Sequence, residues 1–245
     1  MIYNYIGDSM QHYFAVNEKL ELDEKDIHHI INVMRMKKND RFNIIYNNTI
    51  YECNIENIKK DNFDYKIIKE KKYDIKNIVN ISIAIPLLKE QKFDIVLQKA
   101  TELGVHEIIP IVTERTLIKL NERDFQKKLD RWSRICKEAS EQSHRLYIPK
   151  ISSVKTIDDL INNKLELNIF CNVNETSKSI KGIFKDNNNC DKLLVVVGPE
   201  GGFTNKEIEK LSNNNFISVT LGDNVLRTET VPLYILSVAN YEYNL

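Results

Sequence analysis

The chain has 245 residues in which 35 Lys and Arg balance 35 Asp and Glu, giving a formal net charge of zero. That balance argues against a protein that coats nucleic acid without specificity, while a hydrophobic fraction of 42% is ordinary for a globular chain. Apolar runs are short, Leu193–Val197 for example, against the roughly 20 residues that cross a bilayer, and Met1 to Met10 show neither the basic start nor the apolar core of a secretory signal.

Taken in chain order, the first third reads as a small β-rich unit. Ile27, Ile30, Ile31 and Met34 follow helical spacing behind a cap at Asp23, which predicts a short helix over 24–36. Phe42–Tyr46 and Ile50–Ile55 are β-prone and separated by Asn47-Asn48, a hairpin signal. Phe63–Ile68 alternates as a further strand, and the charged stretch Lys69–Asn77 is the best linker candidate. The expected division is a first domain over residues 1–77 and a second over 78–245.

From Ile78 strands alternate with helices. Ile81, Ile83 and Ile85 predict a strand stopped by Pro86. Phe93, Val96, Leu97, Ala100 and Leu103 form one face of a helix closed by Gly104. A strand over 108–112 precedes a second helical stripe from Phe125 to Ala139. Leu167–Val173, Leu193–Val197 and Ile217–Leu221 are short apolar strands of the kind buried in a parallel sheet. Thr204 and Glu207 form a capping box, and Pro232 stands where a last helix over 233–240 begins. The Asn-rich spots at 162–163, 186–189 and 213–215 read as loops. The alternation predicts an α/β domain with helices on both sheet faces.

Four cysteines, Cys53, Cys136, Cys171 and Cys190, form no C-x-x-C pair and have no His at zinc-ligand spacing. Reduced, mostly buried thiols in a cytosolic protein are expected. His28 and His29 point apart on a helix and lack companions, so no metal is expected. Ten Lys and Arg against six acids between Ile111 and Lys150 mark either a phosphate-holding face or a solvated helix surface.

Two loops carry the chemistry. Gly198-Pro199-Glu200-Gly201-Gly202-Phe203 follows a strand and leads into the capped helix, and holds three of the seven glycines. Such glycines let a ligand approach the backbone at the carboxyl end of a sheet. The loop lacks the Lys and the spacing of a phosphate cradle. Its Glu200 would repel a pyrophosphate and suit a cofactor bearing positive charge; a glycine-rich packing turn is the plainer alternative. The second loop runs from Val219 through Gly222 to Thr230, and its Arg227 and Glu229 are either a structural ion pair or a working site.

Together, Gly-Pro-Glu-Gly-Gly-Phe and the later Leu-Gly-x-x-Val-Leu-Arg-Thr-Glu-Thr resemble the paired signature of the ribosomal RNA small subunit methyltransferase E family. Gln98 to Val105, Glu114-Arg115, Arg131-Trp132, Glu138 to Ser143 and His28-His29 with Val33 to Met36 extend the match from about Gln11 to the C-terminus. The resemblance implies a C-terminal SPOUT-type α/β domain with a trefoil knot and a smaller N-terminal PUA-like β-barrel for RNA contact. It implies S-adenosylmethionine as cofactor, methylation of N3 of a uridine in 16S ribosomal RNA, a homodimer, and a cytoplasmic site of action unless the target ribosome is organellar. Related SPOUT enzymes that methylate another base or a ribose 2′-hydroxyl, and a noncatalytic RNA-binding factor, are the rival readings.

On that resemblance, Arg227 would stabilise charge on the uridine carbonyls and Glu229 would orient it or accept the N3 proton. Gly198, Glu200, Gly201, Gly202, Leu221, Gly222, Asn224, Val225 and Leu226 would hold the cofactor. Arg35, Lys37, Lys89, Arg115 and Arg145 would hold RNA phosphates. His12 stands where the family usually has Arg, Asp223-Asn224 replaces a stretch that often carries Arg or Lys, and His144 replaces a small residue. Met1 to Ser9 precede the family's usual start, and either a disordered extension or an upstream start site is expected to account for them.

Overall fold

The computed structural model describes residues 10–74, 79–118, 120 and 122–243. The expected extension Met1–Ser9 and the expected domain junction at 77/78 lie outside the described residues. The chain forms two compact units, one from the described residues of Met1–Lys76 together with Ser140–Tyr147, the other from those of Asn77–Ala139 and Ile148–Leu245.

In the first unit, strands β1 (His12–Phe14), β2 (Arg41–Tyr46), β3 (Thr49–Ile58) and β4 (Phe63–Lys72) make one sheet in that order. The β2–β3 hairpin turns at Asn47 and Asn48, with φ of 45° and 59°, the left-handed angles that a two-residue turn demands and Asn tolerates. Asp23 caps α1 (Glu24–His28) by accepting from the Asp26 N–H. The expected helix to Met36 is shorter than its apolar spacing suggested. It passes into a π-helical turn over His29–Val33, and Arg35 then takes φ 51°. Val33 and Met34 are exposed, so no burial holds further helical turns. The expected linker also begins later than predicted, because Lys69–Lys72 continue β4 and pair with Thr49–Glu52. One sheet face buries Phe42, Ile44, Cys53, Ile55 and Phe63 against Tyr13, Leu20 and Ile30. On the other, Ser140–Tyr147 packs back: the Phe14 N–H donates to Glu141 Oε1 at 3.3 Å, and the His144 ring stacks on His12 at 4.0 Å.

The second unit holds β5 (Asn80–Pro86), α2 (Glu90–Glu102), β6 (Glu107–Val112), α3 (Glu122–Gln142, whose last turn belongs to the first unit), β7 (Lys150–Ile151) and β8 (Lys155–Thr156). It continues through α4 (Ile157–Asn162), β9 (Leu167–Cys171), α5 (Ile180–Asp186), β10 (Lys192–Val196), α6 (Asn205–Asn213), β11 (Ile217–Val219) and α7 (Val231–Tyr243). The sheet order is β11-β9-β10-β5-β6-β7, with β8 also on β6, and every pairing is parallel.

The period of two along the strands sorts residues between two cores. Ile81, Ile83, Ile85, Leu193, Val195 and Ile169 meet α2, α3, α5 and α7, while Ala84, Leu194, Val196 and Phe170 meet α4 and α6. Helices therefore cover both faces, as a parallel sheet requires. Each fully buried Ile or Val contributes about 1.5–3 kcal/mol, so the strand runs legible in the sequence are also what fixes the sheet. The Asn-rich spots end helices: Asn163, Asn187 and Asn214 are C-caps whose side-chain amides donate to the carbonyls of Asp159, Ile183 and Lys210 at 2.8 Å. No helix among the described residues is long and apolar enough to cross a membrane.

A cavity at the carboxyl ends of three strands

The loops that leave β9, β10 and β11 enclose a cavity of about 600 Å³. These strands are neighbours and run in the same direction, so their carboxyl ends open on one side of the sheet, the usual ligand position in an α/β sheet. The loops are fastened to one another. The Thr220 N–H donates to the Lys178 carbonyl at 2.8 Å, the Ile180 N–H to the Thr220 carbonyl at 3.2 Å, and Thr228 Oγ1 to the Gly198 carbonyl at 3.4 Å.

Within the first loop the Gly202 N–H donates to the Pro199 carbonyl at 2.8 Å, closing a turn in which Gly202 takes φ +68°. Gly222 sits at φ +115° in the second loop. Gly198 is packed so closely that an added Cβ would stand 3.1 Å from the Phe203 ring. Phe203 closes the floor with its ring edge-on to Phe170. The helix after the loop is anchored by the Thr204–Glu207 capping box, and Glu207 Oε1 also accepts the Glu114 N–H at 2.8 Å.

Among the residues singled out in the sequence, Gly198, Glu200, Gly201, Gly202, Leu221, Gly222, Asn224, Val225, Leu226 and Arg227 all line this cavity. Arg115 lines it too, although it was expected on RNA: its Nη1 donates to the Gly201 carbonyl at 2.7 Å. Arg35, Lys37 and Lys89 are exposed elsewhere, and the Arg145 guanidinium lies 4.4 Å from the Tyr147 ring centre.

Glu229 stands beside the cavity, but its ion pair is with Lys92 at 3.1 Å, and no ion pair of Arg227 occurs among the described residues. Lys92 also reaches Glu200 at 2.9 Å, so one ammonium on α2 ties the two loops together. Burial works to raise the Glu229 carboxyl, yet its own backbone N–H, Lys92 and Arg227 hold it below the usual carboxylate range. Glu200 and Glu229 in turn hold the Lys92 ammonium above its ordinary value. Glu229 Oε2 has no hydrogen-bond partner among the described residues.

Sequence reasoning missed Lys92, which sits in an unremarkable charged run, Lys89-Glu90-Gln91-Lys92. It also missed the third wall, Asn172 to Asn174. There Glu175 accepts from the Ser177 hydroxyl at 2.6 Å and from the backbone N–H groups of 176–178, and the Ser177 hydroxyl first among them pushes its carboxyl down to about 2. Cys171 lines the cavity, but burial pushes its thiol up to about 12, which leaves it protonated and unreactive at neutral pH. All four cysteines are free thiols. No cluster of His, Cys, Asp or Glu suited to a metal occurs among the described residues.

The fold and the glycine loops define a class. The RNA methyltransferase domain family matches residues 75–240, and the RNA methyltransferase PUA domain family matches residues 22–68. The ribosomal RNA small subunit methyltransferase E of Bacillus subtilis (strain 168) is 34% identical over 253 residues, covering 96% of this chain and 98% of that protein. Its counterpart in Aquifex aeolicus is 34% identical over 223 residues, covering 89% and 93%. A Legionella pneumophila methyltransferase solved with the bound cofactor SAM superposes with a TM-score of 0.85 at 27% identity, covering 96% of this chain and 98% of that one. The chain belongs to the ribosomal RNA small subunit methyltransferase E family.

Proposed function

We propose that this protein uses S-adenosylmethionine to methylate N3 of a uridine in the 16S RNA of the small ribosomal subunit, acting in the cytoplasm as a homodimer. The observation that carries the reading is the cavity built from the two glycine loops, with Arg227 on its wall and the Glu229–Lys92–Glu200 array at its edge. Its volume of about 600 Å³ suits one cofactor-sized molecule. The first loop carries no Lys for a pyrophosphate. Val173 and Val225, 69% and 80% exposed, offer apolar surface for a nucleoside.

When bound, the cofactor supplies an electrophilic methyl group on a sulfonium. Backbone groups of Gly198, Gly201, Gly202, Leu221, Gly222, Val225 and Leu226 hold it, with Glu200 and Asn224 at the rim. Displacement at a methyl group needs in-line geometry above all, and the fastened loops supply a rigid frame for it. Glu229 is ionised at neutral pH and is therefore a weak base. Proton removal from N3 then depends on Arg227 stabilising the negative charge that spreads onto the ring carbonyls. Glu229, beside Arg227 in the second loop, orients that guanidinium or accepts the proton.

Arg35, Lys37, Arg145 and Lys89 are the RNA-phosphate contacts of this reading. Ile95, Tyr234 and Tyr241, exposed on the adjoining helices α2 and α7, favour a second copy as partner.

The test mixes purified protein, labelled S-adenosylmethionine and small subunits that lack the modification, then identifies the methylated nucleoside by mass spectrometry. The expected product is 3-methyluridine. Arg227→Ala should lower the single-turnover rate by about 10²- to 10³-fold with little change in cofactor Kd. A different methylated nucleoside would overturn the substrate, and the absence of cofactor binding would leave an RNA-binding protein without catalysis.

A further inference from the structure

We infer that the turn Thr113–Thr116 is a brace for the glycine loop Gly198–Phe203, and that Arg115 is a positioning residue for the cofactor rather than a contact for RNA. The inference rests on the cofactor reading of that loop.

The sequence places Arg115 in a basic stretch, and an exposed Arg there invites a phosphate. The geometry points inward instead. Arg115 Nη1 donates to the Gly201 carbonyl at 2.7 Å and reaches the Phe203 carbonyl at 3.5 Å. An added Cβ at Gly201 would stand 3.4 Å from Arg115 Cδ and 3.7 Å from its Cβ, so the Arg stem lies along the loop backbone as well. Two loop carbonyls therefore converge on one nitrogen of the guanidinium, whose two N–H bonds point in fixed directions.

The turn that carries Arg115 is itself held. The Thr113 N–H donates to Thr116 Oγ1 at 2.9 Å, and the two hydroxyls meet at 2.8 Å, all buried. On the far side Glu207 binds both partners. Its Oε1 accepts the Glu114 N–H at 2.8 Å, and its Oε2 accepts the Thr204 N–H at 2.9 Å and the Thr204 hydroxyl at 3.2 Å. Glu207 is 6% exposed and has both oxygens occupied. A capping box needs only the Thr204 contacts; the additional bond to Glu114 is what couples the β6 turn to the residue directly after the glycine loop. The loop is thus gripped through Gly201, Phe203 and Thr204 by two side chains, neither of them in the signature itself.

The consequence is specific. A glycine loop can present its backbone to a ligand only if its own carbonyls do not compete for that space. Arg115 takes up the Gly201 and Phe203 carbonyls and leaves the remaining backbone groups for the ligand. Losing it frees the loop and raises the conformational cost of cofactor binding.

The test separates two affinities on the full-length protein. S-adenosylmethionine Kd is measured by calorimetry and Kd for a small-subunit RNA fragment by filter binding over a salt series. Backbone hydrogen exchange of residues 201–204 is followed without cofactor. Arg115→Ala should raise cofactor Kd by about tenfold, the loss of one charge-assisted hydrogen bond, and speed exchange in the loop. RNA affinity and its salt slope should stay as in the parent. Arg115→Lys should recover part of the cofactor affinity, because the flexible ammonium keeps the charge and can reach the Gly201 carbonyl without the fixed donor directions of the guanidinium. Glu207→Gln should speed exchange in the same residues. Unchanged cofactor Kd and exchange, with RNA affinity lowered and its salt slope reduced by about one, would return Arg115 to the RNA and overturn the brace. If the parent protein binds no cofactor but exchange still responds to both substitutions, the brace stands and the cofactor reading falls.

Discussion

Gly198 and Gly201 are three residues apart in one loop, and alanine should have opposite effects at the two. Neither takes a left-handed φ, so alanine fits both backbones without strain and stabilises by about 0.4–1 kcal/mol through the unfolded chain. At Gly201 the new Cβ meets only the Arg115 stem at 3.4 Å, an ordinary contact, so that gain should survive. At Gly198 it meets Phe203 Cε2 at 3.1 Å and Cδ2 at 3.3 Å. The ring cannot retreat, because Phe203 is 8% exposed and leans on fully buried Phe170. Overpacking of this kind costs about 1–3 kcal/mol, so Gly198→Ala should lose about 1–2 kcal/mol net, or about 2–8 °C in Tm. Gly202, at φ +68° with nothing within 4 Å, isolates backbone strain, about 1–2 kcal/mol for alanine. Equilibrium urea unfolding and thermal melts of the three variants check the ranking. A Gly198→Ala protein as stable as Gly201→Ala would refute the close-packing argument.

Two further outcomes concern protons. Burial first, and the nearby His144 second, lower the His12 pKa to about 4 from an ordinary 6.5. His12 is then neutral in the folded protein where the unfolded chain binds a proton. Its contribution is complete above pH 6.5 and is lost as pH falls towards 4, reaching about 3 kcal/mol. His12→Gln should therefore flatten the stability profile between pH 6.5 and 4, and an unchanged slope in urea titrations would remove His12 as its source. Lys92→Gln takes away a cation that helps to hold the Glu229 carboxyl low. If Glu229 is the base, the acid limb of the single-turnover pH profile should move to higher pH; a limb that stays in place assigns the proton to another group.

The parts of this fold legible in the sequence were those whose chemistry is local. The Asn47-Asn48 turn, the Thr204–Glu207 box and the Asp23 cap were readable because side chain and backbone needs meet within four residues. The buried strands were readable because both their faces are covered. Strand β4 was not. Beyond Phe63 nearly all of it is exposed, and it is held by ladder hydrogen bonds to β3 that leave no apolar signature. Strand β1 is three residues long and pairs in parallel with β2, across an intervening helix. At the cavity, the glycines were legible because few residues tolerate such loops. Lys92 and Glu207's bond to Glu114 were not, since both join residues more than ninety positions apart. The knotted threading has no counterpart in any periodicity; only the resemblance implied it.

The return of Ser140–Tyr147 to the first unit has a consequence for how the protein is made and divided. A nascent chain presents all four strands of the small sheet long before the segment that stacks on His12 and accepts from Phe14 has been synthesised. The face bearing His12 and Asn43 therefore stays open until the long helix has emerged. For the same reason no single cleavage parts the two units. Residues 10–74 expressed alone would carry an uncovered sheet face, and the complementary fragment would carry a loose end evolved to cover it.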